Sequence, residues 1–179
     1  GEADRLLLHA DRNPNMAGAR LTGIAAGTPG SRLKEIAAGI GDGTIRTLIV
    51  FGEDVTRHGV GAELLGKLET LIVSDILPNE TTRRAHFLLP GCAHAEKRGT
   101  FVNGKGRVQR FLKAIEPPGD ARPEAEFLEE LLARLTGSEA GGTVSFSMEA
   151  LFNRMAREIP ALAGIEWGKL GDGGAPAGV

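Results

Sequence analysis

The chain has 179 residues, 41% hydrophobic and 25% charged, with a formal net charge of −2 and a single cysteine, Cys92. That length carries one domain, or one domain plus an extension, and the balance fits a globular chain rather than a disordered one. The near-neutral charge gives no support to a nucleic-acid binder, no apolar run reaches the ~20 residues that span a bilayer, and one cysteine excludes an intrachain disulfide or a cysteine-built iron–sulfur cluster.

In chain order, Arg5–His9 (RLLLH) reads as a short buried strand, and residues 10–30 as a Gly/Pro/Asn-rich loop with a weakly apolar middle. The strand opens almost at once and the chain begins with Gly, so a piece of a longer protein is expected. Ser31 suits the N-cap of a helix over about 32–38, with Leu33, Ile36 and Ala37 on one face and Gly39, Gly41 and Gly43 ending it. Thr44–Phe51 (TIRTLIVF) is the first strong strand, and Gly61–Glu69 follows as an amphipathic helix burying Leu64, Leu65 and Leu68. Thr70–Ser74 is the second strand, and PNETTRRA is a polar turn with a short helix from Asn79 or Glu80. His86–Leu89 is the third strand, stopped by Pro90.

Strands alternating with helices, each strand a continuous apolar run, predict a parallel sheet with both faces covered. Right-handed crossovers put the loops 52–57, 75–79 and 90–95 at the carboxyl edge, where open α/β sheets bind ligands. The segment EKRGTFVNGKGRVQ (96–109) comes next, polar, basic and broken by Gly99, Gly104 and Gly106. It reads as a tight turn at or just beyond that edge. Pro117 and Pro118 then interrupt the chain. Phe127, Leu128, Leu131, Leu132 and Leu135 mark a helix from Pro123 to Gly137, GSEAGG links, and Ser147 caps a second helix to about Glu158 with Leu151, Phe152 and Met155 inward. The tail GDGGAPAGV is expected to fray. The expected division is therefore an α/β domain over 1–116 and a helical extension with a flexible tail over 117–179.

Several groups invite chemical readings. Cys92, His94 and Glu96 follow a strand at alternate positions, but a metal site needs three or four converging ligands, and a lone thiol beside two solvated side chains is the plainer reading. GVGAEL (59–64) looks like part of a dinucleotide fingerprint, yet residues 52–58 separate it from its strand, which favours a helix-start turn. Glu53 and Asp54 stand at a strand's carboxyl end, where they either accept from a ligand or cap the next turn. Lys97, Arg98, Lys105, Arg107, Arg110 and Lys113 face one acid, Glu96, across 96–113. Such a run suits an anionic partner or simply a solvated face.

The ordered series Asp75, Glu80–Thr81, Leu88–Pro90, Glu96, Gly99–Phe101, Asn103, Gly106–Arg107 and Gln109 resembles the signature of the molybdopterin oxidoreductase family. IEPPGDARPEAEFLEELLARL resembles the segment that follows it there, and VFGEDV the preceding GxNP loop. The closing REIPALAGIEWGKLGDGG most resembles the large peripheral-arm subunit of NADH-quinone oxidoreductase, respiratory complex I.

The resemblance implies α/β domains around a cleft for a molybdopterin guanine dinucleotide, with Gly99, Thr100, Asn103 and Arg107 as cofactor contacts. Arg107 suits phosphate oxygens, while Thr100 and Asn103 suit pterin or guanine edges. Lys105 stands where the family has an acid, and Asp54–Val55 where it has Asn-Pro. The family's molybdenum ligand and cysteine clusters lie upstream of the matched region, so no metal or iron–sulfur site is expected within this chain. Complex I members are regarded as having lost the pterin. The first expectation is therefore a structural, cofactor-free part of that large subunit, not itself catalytic, cytoplasmic, peripheral to the inner membrane and packed on other peripheral-arm subunits. It would contact no nucleic acid and insert in no membrane. The alternatives are the pterin-dinucleotide-binding part of a molybdoenzyme such as a formate dehydrogenase, and a standalone phosphate-ligand module.

Overall fold

A computed structural model of the chain describes residues 14–25, 32–137 and 146–178. The strand expected at Arg5–His9, the Ser31 cap and most of the GSEAGG linker lie outside the described residues. The fold is α/β, with a parallel sheet, flanking helices and a helical C-terminal part.

In chain order the helices and strands are α1 (Met16–Leu21), α2 (Leu33–Gly41), β1 (Thr47–Phe51), α3 (Ala62–Leu65), β2 (Thr70–Asp75) and β3 (Phe87–Pro90). They continue with β4 (Gly99–Val102), β5 (Arg107–Phe111), α4 (Glu124–Thr136), α5 (Met148–Glu158) and β6 (Ala175–Pro176). Two compact units result. One is built from α1, the stretch Arg98–Leu112 and the residues from Ser147 onward; the other from α2 through Lys97 and from Lys113 through α4. The chain thus passes between units at 97/98, 112/113 and 146/147.

The second unit holds the parallel sheet, ordered β1–β2–β3. Leu48, Val50, Leu71 and Val73 share one face, because Leu48 pairs with Leu71 and Val50 with Val73. Ile40 of α2, Val55, Val60, and Leu65 and Leu68 around α3 close over that face. Full burial of such a side chain is worth about 1.5–3 kcal/mol, so this cluster dominates the unit's stability. In α2, Leu33, Ile36, Ala37 and Ile40 recur at helical spacing and all join it. The helix runs through Gly39 instead of ending there. A Cβ at 39 would lie 2.8 Å from the Ile45 side chain, so glycine lets the returning chain pack close.

Two expected elements are shorter than the apolar pattern suggested. The first strand begins at Thr47, and the expected helix 61–69 is the single turn α3. The amides of Glu69 and Thr70 both donate to the Arg46 carbonyl, at 2.9 and 3.1 Å. This contact starts the β1–β2 ladder and leaves no room for more helix.

The first unit is an antiparallel sheet, β4–β5–β6, over a core of Val102, Val108, Phe152, Leu162, Trp167, Leu170 and Ala177. The segment read as a turn is thus mostly a β-hairpin. Within the stretch expected to be loop, α1 forms and Asn15 Oδ1 accepts from the Val102 amide at 2.8 Å. The tail expected to fray forms β6 and buries Ala177. As expected, the Ser147 hydroxyl caps α5, accepting from the Ala150 amide at 3.2 Å, and Phe152 points into the core. Leu151 and Met155 are half-buried. Gly137, at φ 66°, ends α4.

Candidate functional site

The carboxyl edge of the parallel sheet gathers the second unit's polar side chains. After Phe51 the chain turns at Gly52 (φ 62°), whose amide still reaches the Ser74 carbonyl at 2.8 Å. Asp54 follows. Its Oδ1 accepts from the Thr56 hydroxyl at 2.7 Å, the Thr56 amide at 3.3 Å and the Thr81 hydroxyl at 2.8 Å, and its Oδ2 pairs with Arg57 at 3.2 Å. These contacts, the Thr56 hydroxyl first, hold its carboxyl below the ordinary range against a partial desolvation that opposes them. Asp54 therefore caps the 3-10 turn Val55–His58 and ties it to the fully buried Thr81 between β2 and β3. Glu53 accepts from the Asp54 amide and meets His58 Nε2 at 3.1 Å on the surface.

Asp75 plays the matching part after β2. Its Oδ1 accepts from the Ile76 and Leu77 amides at 2.7 and 3.4 Å, and its Oδ2 from Asn79 Nδ2 at 2.8 Å. Asn79 and Thr82 are clasped reciprocally: the Thr82 amide donates to Asn79 Oδ1 at 3.0 Å, and Thr82 Oγ1 lies 2.7 Å from the Asn79 amide. The Asp54–Thr81 and Asp75–Asn79 contacts were missed in the sequence, where PNETTRRA read as a polar turn. For Asp75–Asn79 the signal was present as an acid at a strand end followed four residues later by Asn, a residue type that builds such local bonds.

At the third loop, Gly91 lies so close to β2 that a Cβ there would be 3.0 Å from Ser74 Oγ. Cys92 is buried, and burial, helped by the carboxylates of Glu124 and Glu96, pushes its thiol above its usual value. A thiol held protonated is a poor nucleophile. His94 is exposed and Glu96 folds back to accept from the Ala93 amide at 2.8 Å, so the three residues do not converge. Among the described residues no group of three His, Cys, Asp or Glu side chains is placed to hold a metal ion. GVGAEL supplies the start of α3, with Gly61 as its N-cap.

The four residues expected to touch a cofactor all lie on the β4–β5 hairpin of the first unit. Gly99 is buried, and a Cβ there would stand 2.9 Å from the Phe111 ring, which packs 4.9 Å from that of Phe101. Thr100 borders a cleft of about 200 Å³ with Asn15, Gly18, Val102, Phe152 and Met155. Asn103 builds the hairpin loop: its Oδ1 accepts from the Lys105 and Arg107 amides at 2.9 and 3.1 Å, and its Nδ2 donates to Gln109 at 2.9 Å. Gly106 closes the loop at φ 70°. Arg107 donates from Nε to the Gly173 carbonyl at 2.8 Å and from Nη2 to that of Gly174 at 2.7 Å.

The basic run is largely engaged inside the units. Lys97 pairs with Glu124 and Lys113 with Glu116, and Arg110 donates to the Trp167 carbonyl while lying 5.7 Å from its ring. Arg98 and Lys105 are exposed. Among the described residues no helix is long and apolar enough to cross a membrane.

The chain is 39% identical over 140 residues to the NADPH-Fe(3+) oxidoreductase subunit alpha of Geobacter sulfurreducens, a match covering 76% of this chain and 16% of that protein. It is 39% identical over 108 residues to the F420-dependent formate dehydrogenase 2 subunit alpha of Methanococcus maripaludis, covering 60% of this chain and 16% of the relative. The chain thus spans about a sixth of the length of the curated relatives it matches. Acetylene hydratase from Pelobacter acetylenicus shares the fold, with a TM-score of 0.57 at 18% identity over 76% of this chain and 19% of that one. The family model for molybdopterin oxidoreductases matches residues 9–134, spanning both the parallel sheet with its acid-tipped edge and the glycine-marked hairpin, and the chain belongs to that family.

Proposed function

We propose that this chain is the cofactor-facing part of the α subunit of a molybdenum- or tungsten-pterin oxidoreductase of the formate dehydrogenase kind. The relatives named above favour this molybdoenzyme reading over a cofactor-free part of the large peripheral-arm subunit of complex I. Bound pterin dinucleotide would supply the redox chemistry, and this chain would bind and orient it. A cytoplasmic location, peripheral to the inner membrane through partner subunits of one complex, is part of the proposal.

One observation carries the reading: the two acids of the sheet edge are not equally committed. A carboxylate has about four acceptor positions. Asp54 Oδ2 is paired with the Arg57 guanidinium, whereas Asp75 Oδ2 meets one neutral donor, Asn79 Nδ2. Asp75 therefore keeps capacity for an N–H donor such as a guanine or pterin edge. Gly52, at positive φ with open space where a Cβ would stand, lets a ligand approach the backbone. These residues fit the base end of a dinucleotide. In the first unit, taken by itself, Thr100 borders the cleft and is the hairpin's proposed contact, while Asn103 and Arg107 hold the hairpin's shape.

The test is metal and pterin analysis of the full-length protein, produced in a host that makes the cofactor. Molybdenum or tungsten and oxidised pterin are expected in stoichiometric amounts. Asp75→Asn is expected to lower pterin retention about tenfold, equivalent to one charge-assisted hydrogen bond, together with loss of the bond from Asn79 Nδ2. Absence of pterin and metal from the correctly folded full-length protein refutes the proposal.

A further inference from the structure

The loop of the β4–β5 hairpin brings together the groups of a spontaneous main-chain reaction. The chain has five asparagines, and of these only Asn103 precedes a glycine, Gly104. Asn103 and Arg107 close a three-residue loop. The Asn103 amide donates to the Arg107 carbonyl at 3.0 Å and the Gly106 amide to the Asn103 carbonyl at 2.9 Å, with Gly106 left-handed at φ 70°. Gly104 needs no such conformation, and it is exposed, with open space where a Cβ would stand. Among the described residues its amide has no acceptor. The Gly104 nitrogen is therefore both unshielded and unengaged.

The Asn103 side chain is already fixed beside that nitrogen. Its Oδ1 accepts from the Lys105 amide at 2.9 Å and the Arg107 amide at 3.1 Å, and its Nδ2 donates to Gln109 at 2.9 Å. The bond to Lys105 closes a turn across Gly104 and keeps Cγ on the side of the Gly104 nitrogen. Holding a reacting pair in this way supplies orientation in advance. Two amide donors on one carbonyl oxygen also stabilise the oxyanion that forms when a nucleophile adds to its carbon. We infer that Asn103–Gly104 is a site of spontaneous deamidation, at which the folded hairpin converts Asn103 to aspartate and isoaspartate. The Gly104 nitrogen gives its proton to water and bonds to Asn103 Cγ; the Cγ–Nδ2 bond breaks, and ammonia leaves. The cyclic imide then adds one water, at the side-chain carbonyl to give aspartate or at the main-chain carbonyl to give isoaspartate, and the Gly104 N–H is restored. In sum, one amide and one water become a carboxylate and an ammonium ion; nothing is oxidised or reduced. The product has no side-chain N–H for Gln109, and isoaspartate lengthens the main chain inside the two loop bonds that close the hairpin.

The test is incubation of the full-length protein in mildly alkaline buffer, native or unfolded in guanidinium chloride. Conversion at each asparagine is followed by peptide mass spectrometry, with electron-based fragmentation to separate isoaspartate from aspartate. The native protein is expected to convert Asn103 to both products at least as fast as the unfolded chain does, while Asn79 and Asn153 stay intact over the same period. Gly104→Ala is expected to keep the fold, since the added Cβ enters open space at a residue that is not left-handed. It is expected to slow conversion about tenfold by crowding the nitrogen, equivalent to about 1.4 kcal/mol on the barrier. Slower conversion in the native than in the unfolded protein would mean that the bonds of the Asn103 side chain protect it, and overturns the inference. Aspartate without isoaspartate, or an unchanged rate in Gly104→Ala, would mean that water attacks the side chain directly, and also overturns it.

Discussion

Arg107→Ala separates a structural clamp from a ligand contact. The guanidinium forks onto two consecutive carbonyls, Gly173 and Gly174, at 2.8 and 2.7 Å, next to the residues that pair β6 with β5. Hydrogen bonds from a charged donor are worth about 1.5–3 kcal/mol each when shielded. Here Gly173 is exposed and Gly174 half-buried, so water re-solvates both carbonyls, and the pair is expected to contribute about 1–2 kcal/mol in total. The bond from the Ala177 amide to the Gly106 carbonyl, at 2.8 Å, remains as the next tie. The assay is amide hydrogen exchange over residues 174–178 in the full-length protein. A loss of 1–2 kcal/mol corresponds to about 5- to 30-fold faster exchange there, with β1–β3 unaffected. Arg107→Lys is expected to recover only part of the protection, because an ammonium lacks the planar fork. Unchanged exchange in the alanine variant, accompanied by lost pterin, would refute the clamp and make Arg107 a ligand contact.

Gly99→Ala places a Cβ 2.9 Å from the Phe111 ring and forces it off Phe101; a loss of about 1–3 kcal/mol is expected, as for overpacking, read as a lower urea midpoint at unchanged slope. Ser147→Ala removes the cap of α5 and is expected to cost about 0.5–2 kcal/mol, measured by the same denaturation. Thr81→Val tests the link to Asp54. Because the folded-state pKa of Asp54 is depressed, its contribution is present above the ordinary carboxylate range and is lost as pH falls through the folded pKa. The difference between wild type and variant is therefore expected to be largest near neutral pH and to shrink on acidification. A difference independent of pH would show that Thr81 acts by packing alone.

Much of the parallel unit was legible because its signals are local. Continuous apolar runs mark β1–β3, and the leucine spacing with Pro123 before it and Gly137 after it marks α4. The Ser147 cap was readable for the same reason, since a cap acts on an amide three residues away. The candidate site was legible in part. Asp54 was identified as a ligand acceptor or a cap, and the structure gives it the capping role. The link from Asp54 to Thr81 crosses 27 positions and could not be read from spacing.

By itself, then, the sequence determined the strand–helix alternation of the sheet, the helices with local caps, and the family through its ordered motif. Only the tertiary structure decided the hairpin, the ordered tail and α1. Gly99 is small because Phe111 needs the space, Arg107 reaches carbonyls 66 and 67 positions away, and Asn15 receives an amide 87 positions away. Periodicity reports which face of an element is apolar over a few turns. Contacts between distant segments leave no period, so folding alone turns the glycines of 99–106 and the tail from loop signals into a β-sheet.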